Sequence, residues 1–276
     1  MLARRAAELG LPGDTLLSER PGHLGELARE AAREDGRLLV VVGGDGTVNE
    51  VVNALAGTGA EVAVLPSGTG QDFGRTHGIP TSFDDAVQVV LDGSTRTIDL
   101  GRVDCDGSSR FFANVGSVGM SGAVAHRANS MSKRLGGRVI FFYALTREFL
   151  AWRNTEVIVR LADGVEWKGP MHDVIVANGR WHGGGMQLAP EAAWDDGLFD
   201  VVLIGDITKL DFATTAPKLY SGRYLEHPKV EPLRSAAVEV EAAQPLPIEV
   251  DGEPIGSTPA RFEVVPGAIR VRVPGA

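Results

Sequence analysis

Apolar residues along the first hundred positions alternate between two periods. At 24–32, Leu24, Leu27, Ala28, Ala31 and Ala32 stand at i, i+3, i+4, i+7 and i+8, the stripe of an amphipathic helix. The run 38–42 is short, β-branched and apolar and ends in Gly43-Gly44, which reads as a buried strand. After Asp45-Gly46, Thr47 and Glu50 have capping-box spacing, and Val48, Val51, Val52 and Leu55 continue at helical intervals. The theme repeats with a strand at 61–65, a glycine-rich loop at 66–73 and a short helix that stops before Gly78-Ile79-Pro80. A further helix over 83–91 is capped by Ser82 and Asp85. Strand and helix in alternation up to about residue 95 predict a parallel sheet covered by helices.

Beyond that point the texture changes. Strands are expected at 97–103, 111–115, 157–161, 174–177, 198–204 and 237–241, with helices only near 134–152 and 208–221. An antiparallel, mostly β unit follows from that pattern. Asp106-Gly107 and Asp163-Gly164, each among strand-like residues, read as hairpin turns.

Composition narrows the class. With 276 residues and 43% apolar content the chain can build a substantial core. Its one cysteine, Cys105, rules out an internal disulfide and a cysteine-built zinc site, which suits a reducing, cytoplasmic setting. The longest apolar run, 139–145, is far short of the roughly 20 residues a spanning helix needs. A formal net charge of −9 disfavours nucleic acid as a partner and confines any membrane contact to a local patch. The histidines show no metal-ligand spacing, so His77, His126, His182 and the others read as surface or turn residues.

Four segments carry candidate chemistry. In VVGGDGTVNEVVNAL, residues 41–55, a double glycine lets backbone amides face an anion, and the helix start that follows adds free donors and a positive dipole end. It has neither the Walker spacing nor GxGxxG, and taken alone it could be a glycine-rich strand-to-helix turn. The second segment is LPSGTGQDFGRTHGIP, residues 65–80. The third, APEAAWDDGLFDVVLI at 189–204, places adjacent acids before a glycine and a strand, which suits either a hard cation or a plain turn. In the fourth, IEVDGEPIG at 248–256, Asp251-Gly252 is a hairpin turn by pattern, or else a carboxylate placed to accept a hydroxyl proton.

GGDGTVNEVVNAL resembles the signature of the diacylglycerol kinase catalytic family, which includes bacterial lipid kinases and sphingosine kinases. The bare GGDGT is shared with NAD kinases and phosphofructokinases, but the second loop resembles the lipid-kinase GTxNDFAR segment, with Gln71 for asparagine and Gly74 for alanine. The resemblance implies an N-terminal Rossmann-like α/β nucleotide domain, residues 1–96 with a returning segment at about 262–276, and an antiparallel, sandwich-like β-rich lipid-kinase domain over 97–261. It implies nucleotide contacts from Gly43, Gly44, Asp45, Gly46, Thr47, Val48, Asn49 and Thr69, and from Ser18, where the family carries a threonine. Asp251 matches the general base of the family's DGE motif and Glu253 its acidic companion; Asp196, with the carbonyls of Ala193 and Leu198, matches a structural magnesium site. Asp99 resembles a strand aspartate supporting magnesium and water, with a domain-junction salt bridge as the other reading, and 114–124 resembles the glycine-rich start of the second domain.

ATP and Mg2+ are thus the expected cofactors, a diacylglycerol-like membrane lipid the expected substrate, and the inner face of the membrane the expected place of peripheral contact; a homodimer is left open. The family usually begins with a strand and an asparagine-proline, serine-glycine loop, whereas Met1 falls on the first helix, so either the start lies upstream or activity is impaired. Two rival readings stand beside the lipid kinase: an NAD kinase-like GGDGT enzyme, and a truncated, non-catalytic lipid- or nucleotide-binding protein.

Overall fold

The computed structural model describes residues 2–33, 37–68, 70–131 and 137–275. Helices α1 (Leu2–Glu8) and α2 (His23–Ala31) precede β1 (Leu38–Gly43), α3 (Asp45–Leu55), β2 (Glu61–Pro66), α4 (Asp72–Thr76) and α5 (Phe83–Asp92). β1 and β2 pair in parallel from Leu38↔Glu61 to Gly43↔Pro66, so both glycine-rich loops leave the same edge of the sheet. α3 buries Val48, Val51, Val52 and Leu55, the stripe expected from spacing. Its start differs from the expectation. The helix begins at Asp45, so Thr47 and Glu50 lie within it and form no capping box; Glu50 instead accepts the Gly25 amide of α2 at 3.1 Å. The predicted cap of α5 is present, with the Ser82 hydroxyl accepting from the Asp85 amide.

The rest of the chain is dominated by strands: β3 (Ser94–Cys105), β4 (Ser108–Phe112) and β5 (Val115–Gly119) lead into helices α6 (Met120–Asn129) and α7 (Gly137–Ala151). There follow β6 (Thr155–Leu161), β7 (Glu166–Met171), β8 (Asp173–Ala177), the small hairpin β9 (Trp181–His182) and β10 (Met186–Gln187), and β11 (Phe199–Ile204). After α8 (Lys209–Thr215) come β12 (Val230–Ser235), β13 (Ala237–Ala242), β14 (Pro247–Val250), β15 (Glu253–Ser257) and β16 (Ala260–Val273). α6 was not expected; the glycines and serines of 116–122 that run into its first turn hide the helical signal, and it is packing on β14 that holds it. The helix expected at 134–152 is α7 from Gly137 on, its first residues lying outside those described.

One sheet runs β1-β2-β16-β13-β6-β7, with β3 and β4 attached to β16; a second runs β12-β11-β8-β5-β14-β15. The two stack through Val103, Phe112, Phe199, Val238, Val250 and Phe262, all fully buried, in an antiparallel sandwich. Each of these aromatics contributes about 2–3 kcal/mol by burial. The long strand β16 joins the two parts: Ala260–Val265 pairs with β13 and β3 inside the sandwich, and Arg270 and Val271 then run parallel to β2. The chain is therefore a mixed α/β N-terminal part followed by an antiparallel sandwich-like part, and the glycine-rich loops open where the two meet.

Candidate active site

At the end of β1 the backbone passes through Gly43 and Gly44 into α3. A Cβ at Gly43 would lie 2.5 Å from the Thr47 Cβ, so the close return of the helix onto the strand requires glycine there. The first intrahelical bond is Val48 N–H to the Gly44 carbonyl at 3.0 Å. The amides of Asp45, Gly46 and Thr47 consequently lie in the unpaired first turn and keep no acceptor among the described residues, the arrangement that receives a phosphate. The second loop lies against the first: the Ser67 amide donates to the Gly43 carbonyl at 2.9 Å, and the Phe73 amide to Asp45 Oδ1 at 3.0 Å. Asp45 thus caps α4 and fixes one loop to the other. Val48 is in the core, with its amide spent in the helix.

Across from these loops stands the hairpin β14–β15. Val250 pairs with Glu253, leaving Asp251 and Gly252 as a two-residue turn with φ of 48° and 86°, the primed geometry that Asp-Gly favours. The hairpin-turn reading of this position is thus what the structure shows. Both Asp251 oxygens are directed into the protein: Oδ1 accepts the amides of Asn114 and Val115 at 3.0 Å, and Oδ2 accepts the Ala113 amide at 2.9 Å and the Asn49 side chain at 3.0 Å. Burial pushes this carboxyl above the ordinary aspartate value, and the four donors work against that rise. Asn49 belongs to the helix that follows the phosphate loop, so the loop and Asp251 are joined by one hydrogen bond. Glu253 also faces the loop, its Oε1 3.6 Å from the position a Cβ would occupy at Gly46. Asn53, one turn after Asn49, exchanges two hydrogen bonds of 2.8 Å with the Phe111 backbone and fastens α3 to the end of β4.

The structure brings together residues 43–49, Asp251 and Glu253, and leaves others apart. Ser18 is exposed and donates only to the Arg20 carbonyl, within its own loop. Thr69 lies outside the described residues. Asp196 is engaged with the Arg234 guanidinium through Oδ2 and with the Leu198 amide through Oδ1 at 3.1 Å. The resemblance implies a set of one carboxylate and two backbone carbonyls, Asp196 with Ala193 and Leu198, and the carboxylate of that set stands beside the Arg234 guanidinium. Asp99 forms no salt bridge among the described residues; it accepts the amides of Gly197 and Gly267, both at 2.8 Å, and clamps that loop to β16.

Three histidines depart from the surface reading. His77 is buried between Phe73 and Trp194, and burial lowers it to about 3; His172 is buried and lowered to about 4 for the same reason. His182 lies in the cleft, its side chain 15% exposed, with Nε2 3.2 Å from Glu249 Oε1. Glu249, Asp72 and His182 were not among the candidates. Only Asp72 carried a local signal, as the aspartate of the second loop; the other two are brought in by sheet register.

A glycine-rich loop that faces an acidic hairpin turn across two joined parts is an arrangement suited to a GGDGT-type kinase, and similarity to known proteins shows which. Family models match at residues 2–103, the diacylglycerol kinase catalytic domain, and at 114–273, the YegS C-terminal NAD kinase beta sandwich-like domain. The chain is 37% identical over 256 residues to a Pseudomonas aeruginosa protein named "Probable lipid kinase YegS-like", covering 92% of this chain and 82% of that one. It is 30% identical over 250 residues to a Staphylococcus carnosus diacylglycerol kinase, covering 90% and 80% of the two chains. A solved structure of a diacylglycerol kinase from Bacillus anthracis shares the fold at a TM-score of 0.72, with 20% identity over 97% of this chain and 87% of that one. The protein belongs to the YegS-like, diacylglycerol kinase family of lipid kinases.

Proposed function

We propose that the protein transfers the γ-phosphoryl group of ATP, bound as its magnesium complex, to the free hydroxyl of diacylglycerol, giving phosphatidic acid and ADP. The observation that carries this reading is the 3.0 Å bond between Asn49 and Asp251, which sets a proton acceptor beside the unpaired amides at 45–47. Those amides hold and neutralise the nucleotide phosphates, so positioning and electrostatics supply most of the catalysis. All four lone-pair directions of Asp251 are occupied, so the incoming hydroxyl takes the place of the Asn49 amide at Oδ2 and gives its proton there. Glu253 adds negative charge on the side of the cleft facing Gly46. The test offers radiolabelled ATP with diacylglycerol, ceramide, a sphingoid base, phosphatidylglycerol and NAD in turn, products being separated by thin-layer chromatography. Labelled phosphatidic acid is expected; label in NADP would replace this reading with the NAD kinase, and nucleotide binding without any labelled product would favour a non-catalytic binding protein.

The substrate places the enzyme at the inner membrane face, and α7 is the surface we assign to it. This helix carries Thr146, Arg147 and Glu148 within a largely apolar sequence, and its Val139, Phe142, Tyr143 and Leu150 are 61%, 70%, 49% and 59% exposed, with Leu210 of α8 73% exposed. No described helix is long and apolar enough to cross a bilayer, so contact is by lying on it. α7 packs on α6, and Asn129 at the end of α6 donates to the Gly252 carbonyl at 3.0 Å, which ties this surface to the Asp251 turn. Replacing Phe142 and Leu150 together by Asp should lower co-sedimentation with phosphatidylglycerol vesicles at least tenfold and spare turnover of soluble 1,2-dihexanoylglycerol. Undiminished vesicle binding would remove α7 from this role.

A further inference from the structure

Glu249 is 1% exposed and lies on β14, two residues before Asp251. Its carboxylate is filled from three directions. Oε2 accepts the Gly252 amide at 2.7 Å, while Oε1 accepts the Ser117 hydroxyl of β5 at 2.7 Å and faces His182 Nε2 at 3.2 Å. The imidazole stands on the short hairpin β9–β10, whose own turn reaches the other half of the cleft. There the Gly184 amide donates to Asp72 Oδ2 at 2.7 Å, and Asp72 Oδ1 accepts Arg75 Nη1 at 2.8 Å. Asp72 opens α4, the helix whose next amide is held by Asp45 of the phosphate loop. An unbroken chain of contacts thus runs from the Asp251-Gly252 turn through Glu249, His182 and the 181–187 hairpin to the nucleotide loops.

Charge in this chain is costly to bury, and a buried ion pair is often no more stabilising than apolar residues of the same size. Its use is therefore in fixing geometry. Burial opposes the charge on His182, but Glu249, by charge and hydrogen bond, with Asp72 and Asp251 adding to the field, raises the imidazole to about 9. Burial likewise opposes ionisation of Glu249, yet His182, Ser117 and the Gly252 amide hold it below its ordinary value, so both partners are charged at neutral pH.

We propose that Glu249 and His182 are positioning residues for phosphoryl transfer: the pair holds the Asp251-Gly252 turn in register and couples it, through the 181–187 hairpin, to Asp72 beside the nucleotide loop. The inference rests on the reading of Asp251 as proton acceptor. Neither residue touches the reacting groups; each acts through the turn. A hydroxyl-to-carboxylate alignment of this kind tolerates little displacement, since an error of about 1 Å can cost on the order of a hundredfold in rate.

The test compares His182→Gln, Glu249→Gln and the double variant with wild type, using ATP, magnesium and 1,2-dihexanoylglycerol, with kcat taken per folded molecule at a temperature below every melting transition. Each single variant is expected to lower kcat ten- to a hundredfold with KM for ATP within about threefold. The double variant should be no worse than Glu249→Gln alone, because both changes break one unit. Wild type should lose activity as pH rises toward 9, where the imidazole gives up its proton, and that limb should be absent in His182→Gln. Asp72, Asp173, Glu249 and Asp251 act on the imidazole, with Arg75 paired to Asp72, and all remain in the variant; Asp173, raised to about 8 by burial, would leave the limb in place if it were the cause. An unchanged kcat in both single variants, or a loss matched entirely by lowered folded fraction with the pH limb intact, overturns the proposal. Wild-type turnover by Asp251→Asn would instead overturn the reading beneath it.

Discussion

Asp251→Asn is expected to lower kcat by about a thousandfold or more, the scale on which a positioned general base contributes. The structure also predicts a cost in folding. All four groups around the carboxylate are donors, so an asparagine must turn its NH2 end toward two of them: the amides of Asn114 and Val115, or the Ala113 amide and the Asn49 side chain. Leaving buried donors unsatisfied costs about 2 kcal/mol, which at this chain length lowers the melting temperature by roughly 3–4 °C. Calorimetry and single-turnover rates at 20 °C separate the two losses. A variant that turns over like wild type would end the role of Asp251 as proton acceptor, and one with an unchanged melting temperature would contradict the four-donor cage.

The second large effect is expected in the glycine-rich segment 114–124. Gly122 lies in the first turn of α6 against β14, where a Cβ would come within 2.6 Å of the Pro247 carbonyl carbon and 3.0 Å of the Ile248 nitrogen. Backbone atoms of β14, paired on both sides by β5 and β15, cannot move aside as a side-chain tip can. Gly122→Ala should therefore cost about 3 kcal/mol, at the upper end for overpacking. It should also lower activity per folded molecule, because displacing α6 pulls on Asn129 and the Gly252 carbonyl at the turn proposed to carry the proton acceptor. Chemical denaturation reads the first effect; a loss under about 0.5 kcal/mol, the range of an ordinary surface change, would show that the helix sits farther from the strand.

How much could be read beforehand varies with the range of the physics involved. Period-2 and period-3.6 patterns are local, so the strands and helices of the first hundred residues and the change to antiparallel β were legible, as was the phosphate loop, whose amides depend on a few consecutive φ/ψ angles. The cap at Thr47 was misjudged because the helix gains one more turn from its packing under Gly43, a tertiary contact. α6 was invisible for a similar reason. Nor does the local sequence around Asp196 show that Arg234, 38 residues later in the chain, stands beside it on β12.

The sequence by itself determined the class of the protein: the order of its four motifs, the α/β-to-β transition and the Asp-Gly-Glu turn are properties of neighbouring residues, and neighbours are what a sequence displays. Only the tertiary structure decided what each charged group faces. It made Asp251 the centre of a cage of donors, withdrew Asp45 into capping α4, and moved His182 from a surface reading into contact with buried Glu249. Those outcomes are set by strand register and by β16 crossing from one part of the fold to the other, and their free energies come from desolvation and long-range pairing, which depend on groups more than a hundred residues apart in some cases.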